Sequence, residues 1–407
     1  MLAPAEQIGP GLEAPRRAEI VVAVHGSSDP AEAVRTGRRV SRQLGAAYRD
    51  RQAVVLLLSQ SEPPPLVNAA EGPPADHAPI LPWSRTGQNA LEATLRAAES
   101  FDAAACALVA ADGEESPIDS ARHLLAPILD EGYDFVSPCY ALHRFDGVLS
   151  TGIVYPVTRA AFGTRLRQPI AEELAVSRSL VSYLLGEAWH NDTAHAGDRI
   201  WLVTSALARD FRVGQAQLGY RPRQAPEAGA DLAASLAQVV GLLFHQMRLH
   251  APMWQRVKGS RTVKTFGDPT PPGGEARQPQ IAAMLSAFQL GFQELGLLWG
   301  AVLSPQTLLA LKRLAKVPEE SFAFDDALWA RIVYDFAVGY HLARMDRALL
   351  LRSMTPLYLG WASGFVREVR DLEASAVEAR VERLCRAFES SKPYLISRWR
   401  WPDRFNP

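Results

Sequence analysis

Cysteine is scarce in this 407-residue chain. Cys106, Cys139 and Cys385 lie far apart and form no CxxC pair, which excludes a disulfide scaffold and a clustered cysteine metal site and fits a reducing compartment. An excess of one charge is missing too. Forty-three Lys and Arg face 44 Asp and Glu, a net charge of −1, so no global field draws the chain onto nucleic acid or an anionic membrane. Apolar runs are short: Leu295–Leu303 is broken by Gly and Trp, below the roughly 18 residues that a membrane span requires. Met1–Arg17 is rich in Pro, Glu and Arg where a signal peptide needs an apolar core. GxSxG and Walker A segments are absent, as are internal repeats and heptad runs, which leaves hydrolase and P-loop readings without support. The base expectation is a cytoplasmic soluble protein with no membrane span and no nucleic-acid partner.

What is present is ordinary globular material, 48% hydrophobic and 21% charged. At about 150 residues per domain the length suggests two or three domains. The first half alternates strand and helix patterns. Ile20–Val24 is a continuous apolar run that reads as a strand buried on both faces. Asp29-Pro30 supplies an N-cap and first-turn proline for a helix carrying Val34, Val40 and Leu44. Val54–Leu58 is a second strand, followed by a Pro-rich loop. A short strand at Pro79–Leu81, a helix over Gln88–Ser100, the apolar run Ala103–Ala111, a helix over Pro117–Leu129 and a strand over Phe135–Leu142 follow. This spacing predicts a mostly parallel, doubly wound sheet.

From about Asp231 helical periodicity takes over, in Leu232–Met247, Ile281–Leu298, Pro305–Leu314, Ala327–Ala343, Ala348–Val369 and Ala374–Ser390. Between the first two lies Lys258–Gln278, a Gly- and Pro-rich loop. The expected organisation is an α/β domain over residues 18–225 and an all-helical domain over 229–395.

Two segments carry candidate chemistry. Ala110-Ala111-Asp112-Gly113-Glu114 ends an apolar strand in two acids at i and i+2. Both carboxylates then fall on one side of an extended chain at the edge where doubly wound sheets bind ligands. They suit Mg²⁺ or Mn²⁺ against a diphosphate, and equally suit an Asp-Gly turn that only closes a loop. Gln168-Pro169-Ile170-Ala171-Glu172-Glu173 places two acids before an apolar stretch and predicts the start of a helix, where the dipole favours acids for purely structural reasons. Other polar clusters read as solvated: His190, Asp192 and His195 in one loop, and Arg256, Lys258, Arg261 and Lys264 before the Gly/Pro segment. His245 and His250 read as packed or capping groups. Arg398-Trp399-Arg400-Trp401 reads as a tail docked on its own protein.

The order of these motifs resembles the retaining nucleotide-sugar glycosyltransferases of the GT-A fold, in particular the mannosylglycerate, glucosylglycerate and glucosyl-3-phosphoglycerate synthases. Gln168-Pro169-Ile170-Ala171-Glu172-Glu173 is similar to that group's Gln-Pro-Leu-Gly-Gly-Glu, and Asp112-Gly113-Glu114 to its Asp-x-Asp. Asp198 falls where the group has an acid in a second helix, and Trp329–Phe336 and Leu350–Tyr358 resemble its C-terminal region. The likeness implies a GT-A domain, a nucleotide-sugar donor, a small polar acceptor such as glycerate, a divalent cation and retention of configuration. It implies donor contacts from Ala23, His25, Ser59, Arg85, Gly87, Asp112 and Arg221, a cation on Asp112 and Glu114, and catalytic roles for Glu173 and Asp198.

The departures are equally specific. The first loop reads Ala23-Val24-His25-Gly26-Ser27, the acid after the second strand is replaced by Leu58, and the Gly-Lys-Gly segment reads Arg85-Thr86-Gly87. Ala171 and Glu172 stand for the two glycines, and Tyr220-Arg221-Pro222-Arg223 stands where a metal-binding histidine is expected. Arg221 offers a permanent charge there, able to take over part of the cation's role. Three readings follow: a hexosyltransferase, a silent relative serving as a partner or regulatory subunit, and a nucleotidyltransferase. A homo-oligomer is compatible with each.

Overall fold

A computed structural model describes residues 15–26, 29–59, 77–85, 88–111, 119–187, 195–220, 230–271 and 279–402, without the side chains of 195–198, 230 and 231. The chain divides into two units. One comprises Met1–Ala141, Ile170–Gly219 and Val263–Pro271, the other Leu142–Pro169, Tyr220–Thr262 and Pro272–Pro407. The division is therefore not the single cut expected near residue 225. The helical unit also takes Leu142–Pro169, because that segment holds a buried helix and not the next strand.

The α/β unit is built on one sheet. In chain order its strands are β1 (Ile20–His25), β2 (Ala53–Ser59), β3 (Ile80–Ser84), β4 (Ala105–Ala110), β5 (Phe135–Ala141), β7 (Leu174–Ser177), β8 (Val213–Tyr220) and β10 (Thr265–Phe266). They lie in the order β10-β8-β5-β7-β4-β1-β2-β3. β1 is central, with Val22 paired to Val55 on one side and Ala107 on the other, both parallel. Residues 20–24 are fully buried, as a strand covered on both faces requires. Helices flank it: α1 (Pro30–Ala47), α2 (Ala90–Ser100), α3 (Ser120–Glu131), α5 (Arg178–Gly186) and α6 (His195–Ala208). Four start on side-chain caps, in which Asp29, Asn89, Asp119 and Ser177 accept from Ala31, Glu92, Arg122 and Leu180 amides.

Two elements differ from expectation. The helix predicted to open at Glu172-Glu173 is the strand β7, antiparallel to β4 with Leu108 opposite Leu174 and Cys106 opposite Val176. Leu174, Ala175 and Val176 are all buried, so the apolar run fills a slot between β4 and β5, and Ser177 delays the helix to Arg178. The predicted Gly/Pro loop contributes β10, which adds Thr265 and Phe266 to the edge beside β8.

The helical unit contains a π turn (Ser150–Val154) leading into α4 (Tyr155–Phe162), then α7 (Ala230–Leu249), α8 (Ala251–Trp254), α9 (Ile281–Gly300), α10 (Pro305–Leu314), α11 (Asp326–Leu342), α12 (Arg347–Ser353), α13 (Thr355–Val369) and α14 (Ala374–Arg400). It is not purely helical, since β6 (Thr164–Arg165) pairs with β9 (Arg261–Thr262). The helix predicted over 348–369 breaks at Met354-Thr355, where Pro356 fits the first turn of a new helix. Trp329 and Trp361 stack at 5.4 Å, and Trp329 Nε1 donates to the Gly152 carbonyl at 2.8 Å. A Cβ on Gly152 would lie 2.1 Å from the Trp361 ring, so only glycine lets the π turn approach.

Charges are buried in this unit only with partners. Asp335 on α11 is fully buried and accepts from Tyr394 Oη at 2.6 Å, Arg398 Nε at 3.1 Å and the Ser304 amide at 3.0 Å. Burial raises its pKa, against the pull of Arg398. Arg398 and Trp399 are thus docked, as expected for a tail held by its own protein, whereas Arg400 and Trp401 are exposed. Arg159 on α4, 1% exposed, reaches Glu382 at 2.5 Å and Glu389 at 2.9 Å on α14. Its hydrogen bond holds Glu382 down to about 2.

Arg159→Met should cost about 2 kcal/mol, less than the roughly 3–5 of fully buried pairs, because both carboxylates are partly exposed. The Glu382 contribution is complete above the ordinary glutamate pKa of about 4.3 and fades as pH falls toward 2. Urea midpoints should therefore separate wild type from variant at pH 7 and converge as the pH is lowered through that window.

Candidate functional site

The parallel strands β1 to β4 bring their C-terminal ends to one edge of the α/β unit, the edge where such sheets bind ligands. His25 ends β1, Ser59 ends β2, Arg85 follows β3 and Ala110 ends β4. The Ala111 amide donates to the His25 carbonyl at 2.7 Å, and the Arg85 amide to the Ser59 carbonyl at 3.0 Å. Because β7 runs the opposite way, its first residues arrive at this same edge. Glu173 stands just before Leu174, and its Oε1 accepts from the Ala110 amide at 3.4 Å. Its Oε2 accepts from the Tyr140 hydroxyl at 2.5 Å. Glu173 is 3% exposed and Tyr140 5%, so the carboxylate is desolvated and aimed by two donors.

The preceding residue adds a second focus. His25 Nε2 donates to the Glu172 carbonyl at 3.3 Å, and Arg199 Nη2, on α6, donates to the same oxygen at 3.1 Å. One peptide group thus ties β1, α6 and the start of β7. Arg85 is half-buried, and its Nε has no hydrogen-bond partner among the described residues. Burial lowers its pKa from a value so high that the guanidinium stays charged. A half-buried cation with an open donor at a sheet edge suits an anionic ligand.

The residues predicted from the sequence separate into three groups. His25, Ser59, Arg85 and Glu173 come together at the edge. Ala23 lies two residues before His25, fully buried in mid-strand and paired to Leu56 and Leu108. Gly87, Asp112, Glu114 and Arg221 lie outside the described residues, as do His190 and Asp192. Asp198 falls in the first turn of α6, with its side chain outside them too. Glu173 reaches the site from a strand and not, as predicted, from a helix start.

Tyr140 and Arg199 escaped the sequence reading. Tyr140 sits in the apolar pattern of a strand, and only the antiparallel insertion of β7 gives its hydroxyl a partner. Arg199 lies near the start of an apolar helix and carries no motif of its own. Of the basic run before the Gly/Pro segment, Lys264 pairs with Glu131 at 2.6 Å and sits over the Phe266 ring, which leaves it no part in a phosphate lid.

Asp112 and Glu114, expected from the sequence to hold a divalent cation, lie outside the described residues. Among the described residues no group of three His, Cys, Asp or Glu side chains converges. Glu173 is held by hydrogen-bond donors on both oxygens.

No family model and no curated protein matches the chain. Solved structures similar to it include glucosyl-3-phosphoglycerate synthase from Mycobacterium tuberculosis in complex with phosphoglyceric acid, at 20% identity over 56% of this chain and 80% of that one, with a TM-score of 0.42. Mannosyl-3-phosphoglycerate synthase from Rubrobacter xylanophilus is 16% identical over 59% of this chain and 77% of that one, with a TM-score of 0.41. A mannosyltransferase from Pyrobaculum calidifontis in complex with GDP-Man and Mn²⁺ is 15% identical over 95% of this chain and 88% of that one, with a TM-score of 0.39. The mostly parallel, helix-flanked sheet expected from the sequence is present in the chain itself.

Tyr140→Phe removes the donor from Glu173 Oε2 while keeping the ring. Leaving a buried carboxylate oxygen without that partner should cost about 1–3 kcal/mol of stability. Thermal or urea unfolding of this variant, alone and combined with Glu173→Gln, measures it. The two losses should be strongly non-additive if the pair acts as one unit.

Proposed function

We propose that the chain is a nucleotide-sugar-dependent hexosyltransferase acting on a small polar acceptor of the glycerate type, with retention of configuration. The observation that carries this reading is Glu173, a buried carboxylate oriented by Tyr140 and the Ala110 amide, one residue beyond which the chain runs into Ala111 and Asp112. A charged acceptor group and an acid pair at the open edge of a doubly wound sheet are what such a transfer uses.

In this reading Glu173 accepts a hydrogen bond from an acceptor hydroxyl and fixes the attacking oxygen near the anomeric carbon. Positioning of this kind lowers the barrier by several kcal/mol, on the order of 7–11 in the most favourable cases. His25, Ser59 and Arg85 face the donor, with Arg85 offering its open guanidinium edge to the diphosphate. Asp112 and Glu114 hold the cation, which when bound supplies positive charge against the departing diphosphate. Arg221 contributes permanent charge in place of the missing histidine, and Asp198 supports the acceptor side. The leaving phosphate takes the acceptor's proton, so no separate protein base is required.

A second reading rests on a specific observation, the joint replacement of the Lys, the His and both glycines of the motif set. A silent subunit on this scaffold is expected to bind nucleotide weakly or not at all.

A thermal-shift screen of nucleoside diphosphates and their sugars, with and without Mn²⁺, separates the two. A ligand at 100 times its Kd stabilises the fold by about 2.7 kcal/mol, and a midpoint shift with at least one nucleotide is expected. In an assay with the matching sugar donor and glycerate-like acids, Glu173→Gln should lose turnover and keep nucleotide affinity, whereas Arg85→Ala should lose affinity. Equal loss of affinity in Glu173→Gln would remove it from the acceptor side. Excess chelator should weaken nucleotide binding only in part, and Arg221→Ala should weaken it further.

A further inference from the structure

One corner of the helical unit gathers cations and almost no acids. It is the place where α7, α11 and α14 end and α12 begins. His341, in the last turn of α11, stacks on Trp399 near the end of α14 at 4.1 Å, with the rings 11° apart. Trp399 in turn meets the edge of Trp254, just beyond α7, at 5.2 Å. The sequence carries no Asp or Glu from Leu232 to Gly267 or from Ser390 to Pro402, and only Asp346 from Phe336 to Arg367. Asp346 is committed as the cap of α12, where it accepts from the Leu349 amide at 2.8 Å.

Three basic side chains of this corner have spare capacity. Arg248, in the last turn of α7, forms no side-chain hydrogen bond or ion pair among the described residues, and its Nε is shielded from water without a partner. His341 Nδ1 is shielded and unpartnered in the same way, while stacking on Trp399 fixes the plane of its ring. Arg347 opens α12, donates from Nε to the Tyr340 carbonyl at 3.4 Å and lies 4.6 Å over the Tyr340 ring. That holds the guanidinium and leaves both Nη groups without a partner among the described residues. Burial lowers the His341 pKa, and the charges of Arg248 and then Arg347 lower it further, so both arginines lie within electrostatic reach of the imidazole.

Helix dipoles account for part of this arrangement. A cation in a last turn gains about 0.3–1 kcal/mol, and Arg248 and His341 are so placed. Arg347 is not, because it stands at the start of α12, where the dipole opposes a cation. Simple solvation does not account for the rest. A solvated arginine keeps its donors in water, whereas Arg248 Nε and His341 Nδ1 are withdrawn from it, and a buried polar atom left unpaired costs about 1–3 kcal/mol. A ligand with negative charge and several acceptor oxygens recovers that cost. A phosphate monoester has a charge of about −1.5 to −2 and three acceptor oxygens, a match for two forked guanidinium groups and one imidazole. A carboxylate, with two oxygens and a single charge, would leave one of the three groups unanswered.

We infer that Arg248, His341 and Arg347 form a binding site for a phosphate monoester in the helical unit, the phosphate belonging either to a soluble ester or to a lipid headgroup. The inference does not depend on the proposed reaction. NMR on the full chain with ¹³C-labelled histidine tests it, the His341 signal being identified by its loss in His341→Gln. Titration with inorganic phosphate at constant ionic strength should shift that signal saturably. The shift should persist in Arg85→Ala, which separates this site from the sheet edge. Arg248→Gln, a change at the end of a helix, should weaken the phosphate affinity on the order of tenfold. Adding Arg347→Gln should abolish the shift with circular dichroism unchanged. No saturable shift in wild type, a shift lost in Arg85→Ala, or an affinity that Arg248→Gln leaves unchanged would each overturn the assignment. Flotation with phosphatidylcholine vesicles containing phosphatidic acid then distinguishes the sources. Vesicles that carry wild type but not Arg248→Gln assign the phosphate to a lipid, and vesicles that leave wild type behind assign it to a soluble ester.

Discussion

The site depends on one reversal of direction. Four parallel strands carry their C-terminal ends to a common edge, but parallel strands alone would deliver only loops there. β7 enters between β4 and β5 from the opposite side, so the residue just before it, Glu173, arrives at the edge within the sheet. Leu174, Ala175 and Val176 hold it there through burial on both faces, and the Tyr140 hydroxyl and the Ala110 amide set the carboxylate's orientation. The neighbouring Glu172 carbonyl binds both His25 and Arg199. A carboxylate, a histidine and an arginine are thereby fixed to rigid elements, which is the condition for placing reacting groups accurately.

The helical unit solves a different problem with the same physics. Its longest helix, α14, must lie against several others although it contains Pro393. It is pinned at both ends by buried charges that meet partners on other helices. Arg159 binds Glu382 and Glu389 near one end, and Asp335 binds Tyr394 and Arg398 near the other. Between them Lys392 donates to the carbonyls of Ala160 and Val257 at 2.7 Å each. These contacts specify the register of α14 more than they add stability, since desolvation offsets much of the attraction.

Much of this was legible beforehand where local chemistry decides the outcome. β1 follows from an unbroken apolar run, and α1 from Asp29-Pro30. α10 begins at the expected Pro305 and ends at Leu314. Ambiguity entered where periodicity is short. Leu174-Ala175-Val176 fits a helix turn as well as a strand, and only the slot between β4 and β5 decides it. The Gly/Pro stretch after Lys258 hid β10 because two residues give no period at all. At the edge, the strand ends at His25 and Ser59 follow from the ends of apolar runs, whereas Ala23, inside such a run, lies in the core. Tyr140 and Arg199 acquire their roles only through partners distant in sequence, which no local pattern encodes.

The central claim is that a nucleotide binds at the C-terminal edge of β1 to β4, with Glu173 facing the acceptor. Hydrogen exchange read by mass spectrometry on the full chain, with and without a saturating nucleoside diphosphate and Mn²⁺, tests this most directly. The account predicts slowed exchange in the peptides that span Val24–Gly26, Ser84–Arg85 and Ala110–Ala111, with peptides of α9 unchanged. Slowed exchange confined to other segments, or none with any nucleotide that shifts the melting temperature, would contradict it.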